Sequence, residues 1–294
     1  MYYRRKILIA ILQAFGGELD KMSLQKLLFL FSRQQTEKSF HFVPYKYGCY
    51  SFQANADLGT LTKNKLVEES GNNWKMIDQT NYINALKAKD QVAIKYILNQ
   101  YSGFSNDELV KLTYKNYPYY AINSTIAATV LNKEELVRIE NQKVNKTETV
   151  LFTIGYEGVS LEEYINKLII NGVSVLCDVR RNPYSMKYGF SKSQLQKACN
   201  GVGIEYVHIP EVGIDSDKRQ ELNTQADYDK LFVFYKTSTL KKEVAKQKEI
   251  LSLLVSKKRI ALTCFEANIY QCHRKHLAES ISKLDGFNYE IKHI

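Results

Sequence analysis

The spacing of apolar residues changes its period partway along this chain. Ile7, Leu8, Ile11, Leu12 and Phe15 recur at helical intervals until Gly16-Gly17 stops the run. Ser23 is placed to cap a second helix whose apolar positions are Leu24, Leu27, Leu28 and Phe31. A Tyr- and Gly-rich passage over 43–52 follows, and then a helical segment over 55–66. Val67-Glu68-Glu69 and Trp74-Lys75-Met76-Ile77 flank Gly71-Asn72-Asn73, which reads as a hairpin. Three helices and then a hairpin is the order of a winged helix. Further helices are expected over 82–100 and after Ser105, where Ser105-x-x-Glu108 reads as a capping box.

From Val150 onward, short β-branched runs alternate with helical ones. Strands are expected over 150–154, 173–179, 206–209, 259–264 and 289–294. Capping boxes at Ser160/Glu163 and Ser191/Gln194 open helices, 228–255 is largely helical, and a last helix covers 273–284. This alternation predicts an α/β fold, a mostly parallel sheet flanked by helices. A mainly helical, winged-helix-like domain precedes it. The polar stretch 141–149 has no packing face, so the domains are drawn as 1–146 and 147–294.

In a parallel sheet, ligands gather beyond the carboxyl ends of the strands. Gly155-Tyr156-Glu157-Gly158 follows the first strand of this half and Asp178-Val179-Arg180 the second. His208-Ile209-Pro210-Glu211 follows the third and Cys264-Phe265-Glu266 the fourth, while Cys272-His273-Arg274 opens a helix whose N–H groups suit an anion. A thiol at a helix start or beside an arginine is a usable nucleophile, and a carboxyl or imidazole can move its proton. Cys264, Glu266, Cys272, His273 and Asp178 are therefore the candidate catalytic residues. Tyr156, Arg180, Ser185 and Arg274 are the candidates for holding substrate.

Plainer readings stand beside these. Asp178 and Arg180 can simply pair and fix their loop, and Cys177 and Cys199 read as small core residues. His276 and His293 read as surface residues. Cys264, Cys272 and His273 with His208 can make a four-ligand zinc site, but the paired short spacings of a zinc ribbon are missing, so no metal is assigned. The Gly155/Gly158 doublet is too short for a dinucleotide fingerprint, which speaks against a nicotinamide cofactor and leaves the cofactor unknown.

The run Thr153-Ile-Gly-Tyr-Glu-Gly158, then Ser160-Leu-Glu-Glu-Tyr164 and Asp178-Val-Arg180-x-x-Pro183-x-Ser185, resembles the family called domain of unknown function 488. Phe190-Ser-Lys192, Gly203-Ile-Glu-Tyr-Val-His-Ile-Pro-Glu-Val-Gly213 and the block from Cys264 to Arg274 extend the likeness over 150–294. The resemblance implies an α/β domain with functional positions at Tyr156, Asp178, Arg180, Ser185, Cys264, Glu266, Cys272, His273 and Arg274. It brings no settled activity. Asp178-Val-Arg180 is also similar to rhodanese-like sulfurtransferases, although ten positions separate Cys264 from Arg274 where a single Cys-x5-Arg loop would be needed. The first half more loosely resembles Panacea or SocA-like antitoxin domains. Its carriers are Ser23-Leu-Gln-Lys-Leu-Leu-Phe-Leu-Phe31, Phe42-Val-Pro-Tyr-Lys-Tyr-Gly48 with Tyr50-Ser-Phe52, and Asp57-Leu58. That likeness implies a helical, winged-helix-flavoured domain with a DNA or protein partner, in toxin–antitoxin or phage-defence settings.

Charge adds a partner class. The chain carries +10 formally, and residues 1–146 hold 20 Lys+Arg against 13 Asp+Glu (+7). A basic surplus in one half suits a polyanion, with nucleic acid (DNA foremost) or a nucleotide ahead of a membrane, unless it is only a solubilising surface. Five widely spaced cysteines suit a reducing cytoplasm. The start imitates a signal peptide, but Gln13 interrupts the apolar run and Glu18 and Asp20 follow, so a cytoplasmic protein without a membrane partner is expected. Three functions fit: an enzyme acting on nucleic acid or nucleotides, a DNA-binding or antitoxin-like regulator whose pocket senses a small anion, and a zinc-stapled protein without catalysis.

Overall fold

Ile7 to Leu12 are all withdrawn from solvent, so helix α1 (Tyr3–Ala14) runs through a core instead of lying on it by one face. The computed structural model describes residues 1–144, 146–219 and 222–294. These form two units, Met1–Lys143 and Val144–Ile294.

In unit 1, strand β1 (Glu18–Asp20) follows α1 and leads into α2 (Lys21–Ser32), which is buried from Ser23 to its end. The cap of α2 is Asp20, not Ser23. The Asp20 carboxylate accepts from the N–H groups of Met22 at 2.8 Å and Ser23 at 3.2 Å, and it places negative charge at the positive end of the helix. Ser23 pairs its hydroxyl with Asn106 instead. The Tyr/Gly-rich passage is a hairpin of β2 (Val43–Tyr45) and β3 (Gly48–Tyr50), ahead of α3 (Phe52–Lys63), which Ser51 caps. The second hairpin, β4 (Val67–Ser70) with β5 (Asn73–Met76), stands where the sequence puts it, and β1 joins it as an antiparallel sheet in the order β1-β5-β4. Four helices complete the unit: α4 (Ala88–Tyr101), α5 (Asn106–Asn116) with its reciprocal Ser105/Glu108 capping box, α6 (Ala127–Val130) and α7 (Lys133–Glu140).

Unit 2 is the α/β fold read from the sequence. Its elements are β6 (Val150–Gly155), α8 (Leu161–Ile170), β7 (Val175–Asp178), α9 (Lys192–Gly201), β8 (Glu205–His208), α10 (Gln225–Thr237), α11 (Thr239–Lys242), α12 (Val244–Lys257), β9 (Arg259–Cys264), α13 (His273–Ile281) and β10 (Glu290–His293). Five parallel strands form one sheet in the order β10-β6-β9-β7-β8. Helix α8 opens with the expected Ser160/Glu163 box. No matching bond forms at α9, because Gln194 accepts from the Gly189 N–H and Ser191 is bonded to the Ser185 backbone.

Alternation along the strands divides the sheet into two faces. Leu151, Val175, Cys177, Ile260 and Leu262 pack against α10, α12 and α13 through Phe232, Ile250, Leu254, Leu277 and Ile281. Thr263 points to the opposite face, where the Tyr164 hydroxyl of α8 bonds it at 2.7 Å. Both faces are covered, which explains why these strands read as near-continuous apolar runs. Among the described residues no helix is long and apolar enough to cross a membrane.

Candidate functional site

Register sets the polar strand ends side by side. Gly155 of β6 lies opposite Cys264 of β9, and Asp178 of β7 lies opposite both Thr263 of β9 and His208 of β8. Beyond this edge lies a cavity of about 260 Å³, lined among others by Tyr156, Arg180, Arg181, Ser185, Cys264 and His273.

On one side stands a buried polar cluster around Asp178. Arg180 donates to it through Nε (2.8 Å) and Nη2 (2.5 Å), and the Tyr206 hydroxyl donates at 2.6 Å. The Arg180 N–H adds a fourth bond at 3.2 Å. Both carboxylate oxygens are thus engaged by fixed donors. The remaining guanidinium nitrogen, Nη1, donates to the Tyr156 hydroxyl at 2.7 Å and the Phe190 carbonyl at 2.8 Å. Burial works against the Arg180 charge, but the adjacent Asp178 outweighs it and holds the pKa above the ordinary arginine value. Tyr156 stacks on Phe190 with ring centroids 4.3 Å apart, and burial raises its pKa.

On the other side, β9 and the start of α13 bring a thiol to two proton acceptors. Cys264 Sγ lies 3.1 Å from Glu266 Oε2 and 3.4 Å from His273 Nδ1. The other ring nitrogen, His273 Nε2, is 3.1 Å from the Val179 carbonyl. A carbonyl only accepts, so Nε2 carries hydrogen and Nδ1 is the ring nitrogen that faces Cys264. Burial, then a hydrogen bond to Cys264, push the Cys272 thiol well above its usual pKa. The ligand atoms of Cys264, Cys272 and His273 all lie within 4.8 Å of one another.

Of the sequence candidates, Asp178, Glu266, Cys272 and Arg274 do not line the cavity, and His208 stands outside the thiol cluster. The Nη1 and Nη2 of Arg274 donate to the carbonyls of Glu266 (2.5 Å) and Ala267 (3.2 Å), which clamps the loop after β9. Gly155 leaves room for that loop, since a Cβ there would stand 2.0 Å from the Glu266 carbonyl oxygen. His208, offered as a fourth zinc ligand, is directed at the Arg180 carbonyl (3.0 Å) and near Lys192 Nζ (3.3 Å), outside the cluster. His276 is half-buried against Phe232, not a surface residue.

Residues 160–281 match the family model described as Domain of unknown function DUF488. Unit 2 carries a DUF488 domain. No curated protein matches the chain. The matched span lies within unit 2, so the antitoxin likeness of unit 1 rests on its sequence alone. The DUF488 domain also lines its cavity with residues the sequence reading passed over: Arg181, Asn182, Tyr184, Ile214 and Phe265. The first three continue the Asp178-Val-Arg180 run, and that mostly polar stretch after a buried strand was the available signal. Ile214 arrives because Gly213 abuts the Arg181 backbone, where a Cβ would come within 2.3 Å of its nitrogen.

Proposed function

We propose that the DUF488 domain performs nucleophilic thiol chemistry on a small anionic group, and that the chain is directed at nucleic acid or nucleotides. The observation that carries this is the 3.4 Å contact between Cys264 and His273 in the wall of a cavity that Arg180 and Arg181 also line. Cys264 is the nucleophile. His273 takes its proton at Nδ1, while Val179 holds the Nε2–H and fixes the tautomer. Glu266 is a second acceptor for the same proton and can return it to a leaving group. Cys272, kept protonated by burial, supports a Cys264 thiolate through its hydrogen bond. Asp178 and Arg274 are positioning residues, the first for Arg180 and the second for the loop that carries Glu266. The +7 balance of residues 1–146 supports a polyanionic partner.

The test is turnover of nucleotides and of single- and double-stranded oligonucleotides, followed by mass spectrometry. Product formation that Cys264→Ser abolishes and His273→Ala slows is the expected result. Turnover that persists in Cys264→Ser removes the proposal, and ligand binding without turnover in the wild type favours the regulator. The zinc-stapled alternative has three of the four protein ligands a structural site requires. About one zinc per purified chain, with unfolding on chelation, decides for it.

A further inference from the structure

Unit 1 has a cavity of its own, about 310 Å³, between the first turns of α2 and the β2–β3 hairpin. Lys26 of α2 lines it, although only 1% of that residue is exposed. Its ammonium donates to the carbonyls of Tyr47 and, at 3.4 Å, Cys49, and among the described residues no carboxylate forms an ion pair with it. Burial lowers its pKa, opposed only in part by the Cys49 sulfur. The same unit treats another buried charge differently, giving Asp57 two arginines, Arg4 at 2.5 Å and Arg5 at 2.7 Å. A charge withdrawn from water without a counter-ion is costly, and an anion entering the cavity would relieve that cost.

The rest of the wall narrows the anion. Tyr45 and Tyr50 are stacked at 4.9 Å and half-buried, and Tyr47 is 51% exposed. Lys46 adds positive charge to the lining, whereas Lys21, which also lines it, is ion-paired with Glu69. Aromatic faces with lysines between them are how proteins hold unpaired bases with their phosphates. The β4–β5 hairpin, by contrast, exposes Glu68 and Glu69, a poor surface for the phosphates of a duplex.

We infer that this cavity binds one nucleotide unit, its base among Tyr45, Tyr47 and Tyr50 and its phosphate on Lys26. The choice of a nucleotide over other aromatic anions rests on the nucleic-acid reading above, whereas the site itself does not. Gly48 is part of the design: at φ +89 it makes the turn, and a Cβ there would stand 3.1 Å from Lys26 Nζ and 2.4 Å from the Tyr114 ring.

The sole tryptophan, Trp74, has Lys21 Nζ 5.6 Å from its ring centroid, so its fluorescence reports events at the cavity. The full chain carrying Cys264→Ser, so that no turnover interferes, is titrated with adenosine monophosphate and a short oligothymidylate. Inorganic phosphate, phenylacetate and a peptide ending in Phe serve as comparison probes. Nucleotide binding about tenfold weaker in both Lys26→Met and Tyr47→Ala is the expected result. Tyr47 is exposed, so its variant keeps the fold if Lys26→Met does not, and thermal melts identify which variants are folded. Equal nucleotide affinity in the folded variants, tighter binding of phenylacetate or the peptide, or no nucleotide binding at all overturns the inference. Binding here together with failed turnover in unit 2 would sink only the thiol chemistry, and the reverse pattern would sink only this site.

Discussion

Arg180 in unit 2 and Lys26 in unit 1 are both buried cations in the walls of cavities of similar size. Arg180 has its own carboxylate, Asp178, in a two-pronged pair, with Tyr156 and the Phe190 carbonyl taking the Nη1 hydrogens. Among the described residues Lys26 has two carbonyl oxygens and the Cys49 sulfur but no carboxylate. In unit 2 the cation is already compensated, so the proposed chemistry would draw on the proton shared among Cys264, Glu266 and His273. In unit 1 the cation has no carboxylate among the described residues, and the inferred nucleotide site would use its charge for recognition. Similar burial thus supports two different jobs, and the presence or absence of a partner carboxylate separates them.

The largest effect should come from making Arg180 resemble Lys26. Asp178→Asn leaves a buried guanidinium without its counter-ion, and a loss of about 3–5 kcal/mol in urea unfolding is expected. The double variant Asp178→Leu/Arg180→Met should lose less than Asp178→Asn alone, because it removes both charges. If Asp178→Asn is as stable as wild type, the pair does not hold the site. Next is the proton cluster. His273→Ala should slow turnover about 10²–10⁴-fold, and the rate of Cys264 alkylation by iodoacetamide should fall with it. Cys272, whose thiol is held protonated by burial, should react far more slowly than Cys264 at pH 8. Equal labelling of the two sulfurs would contradict the division of roles.

The same contrast shows what could be read from the sequence. Strand β9 runs Arg259–Cys264, the span the apolar run marks, and the shared rim follows once the strands are parallel. Capping boxes at Ser105 and Ser160 are local chemistry and form as read. Ser191/Gln194 has the same spacing, yet the Gly189 N–H captures Gln194, a competition no spacing reveals. Strands β1, β2 and β3 are each three residues long, too short for a period to register, and β1 in addition finds its partner, β5, far along the chain. Lys26 drew no reading of its own from the sequence, because only the hairpin covering it turns it into a buried charge. Asp178 and Arg180 were visible as chemistry, but how fully they satisfy each other required the fold.

A smaller effect is expected where the two sides of the rim touch. Gly155→Ala drives a methyl against the Glu266 carbonyl, which Arg274 holds in place. Overpacking of this kind costs about 1–3 kcal/mol. Since the loop carries Glu266, turnover should fall by more than the stability loss explains in samples that are still fully folded. Unchanged turnover would detach Glu266 from the chemistry.

The finest test uses pH, because only one of the two buried cations should titrate in the accessible range. Burial lowers the Lys26 pKa below its ordinary 10.5, whereas Arg180 is held above the arginine value. Below the lowered value, Lys26 is protonated in both folded and unfolded chains and the full cost of burying its charge is felt. Between that value and 10.5 the folded chain has released the proton while the unfolded chain keeps it. Stability therefore rises with pH across this window, by about 1.4 kcal/mol for each unit of depression. Measured against Lys26→Met, which cannot titrate and cancels the contributions of other groups, the wild type should gain stability as pH climbs from neutral toward 10.5. Saturating adenosine monophosphate should flatten that gain, because a phosphate beside the ammonium restores its affinity for the proton. A difference between the two proteins that stays level with pH would show that Lys26 already has a counter-ion, and the contrast with Arg180 would then disappear.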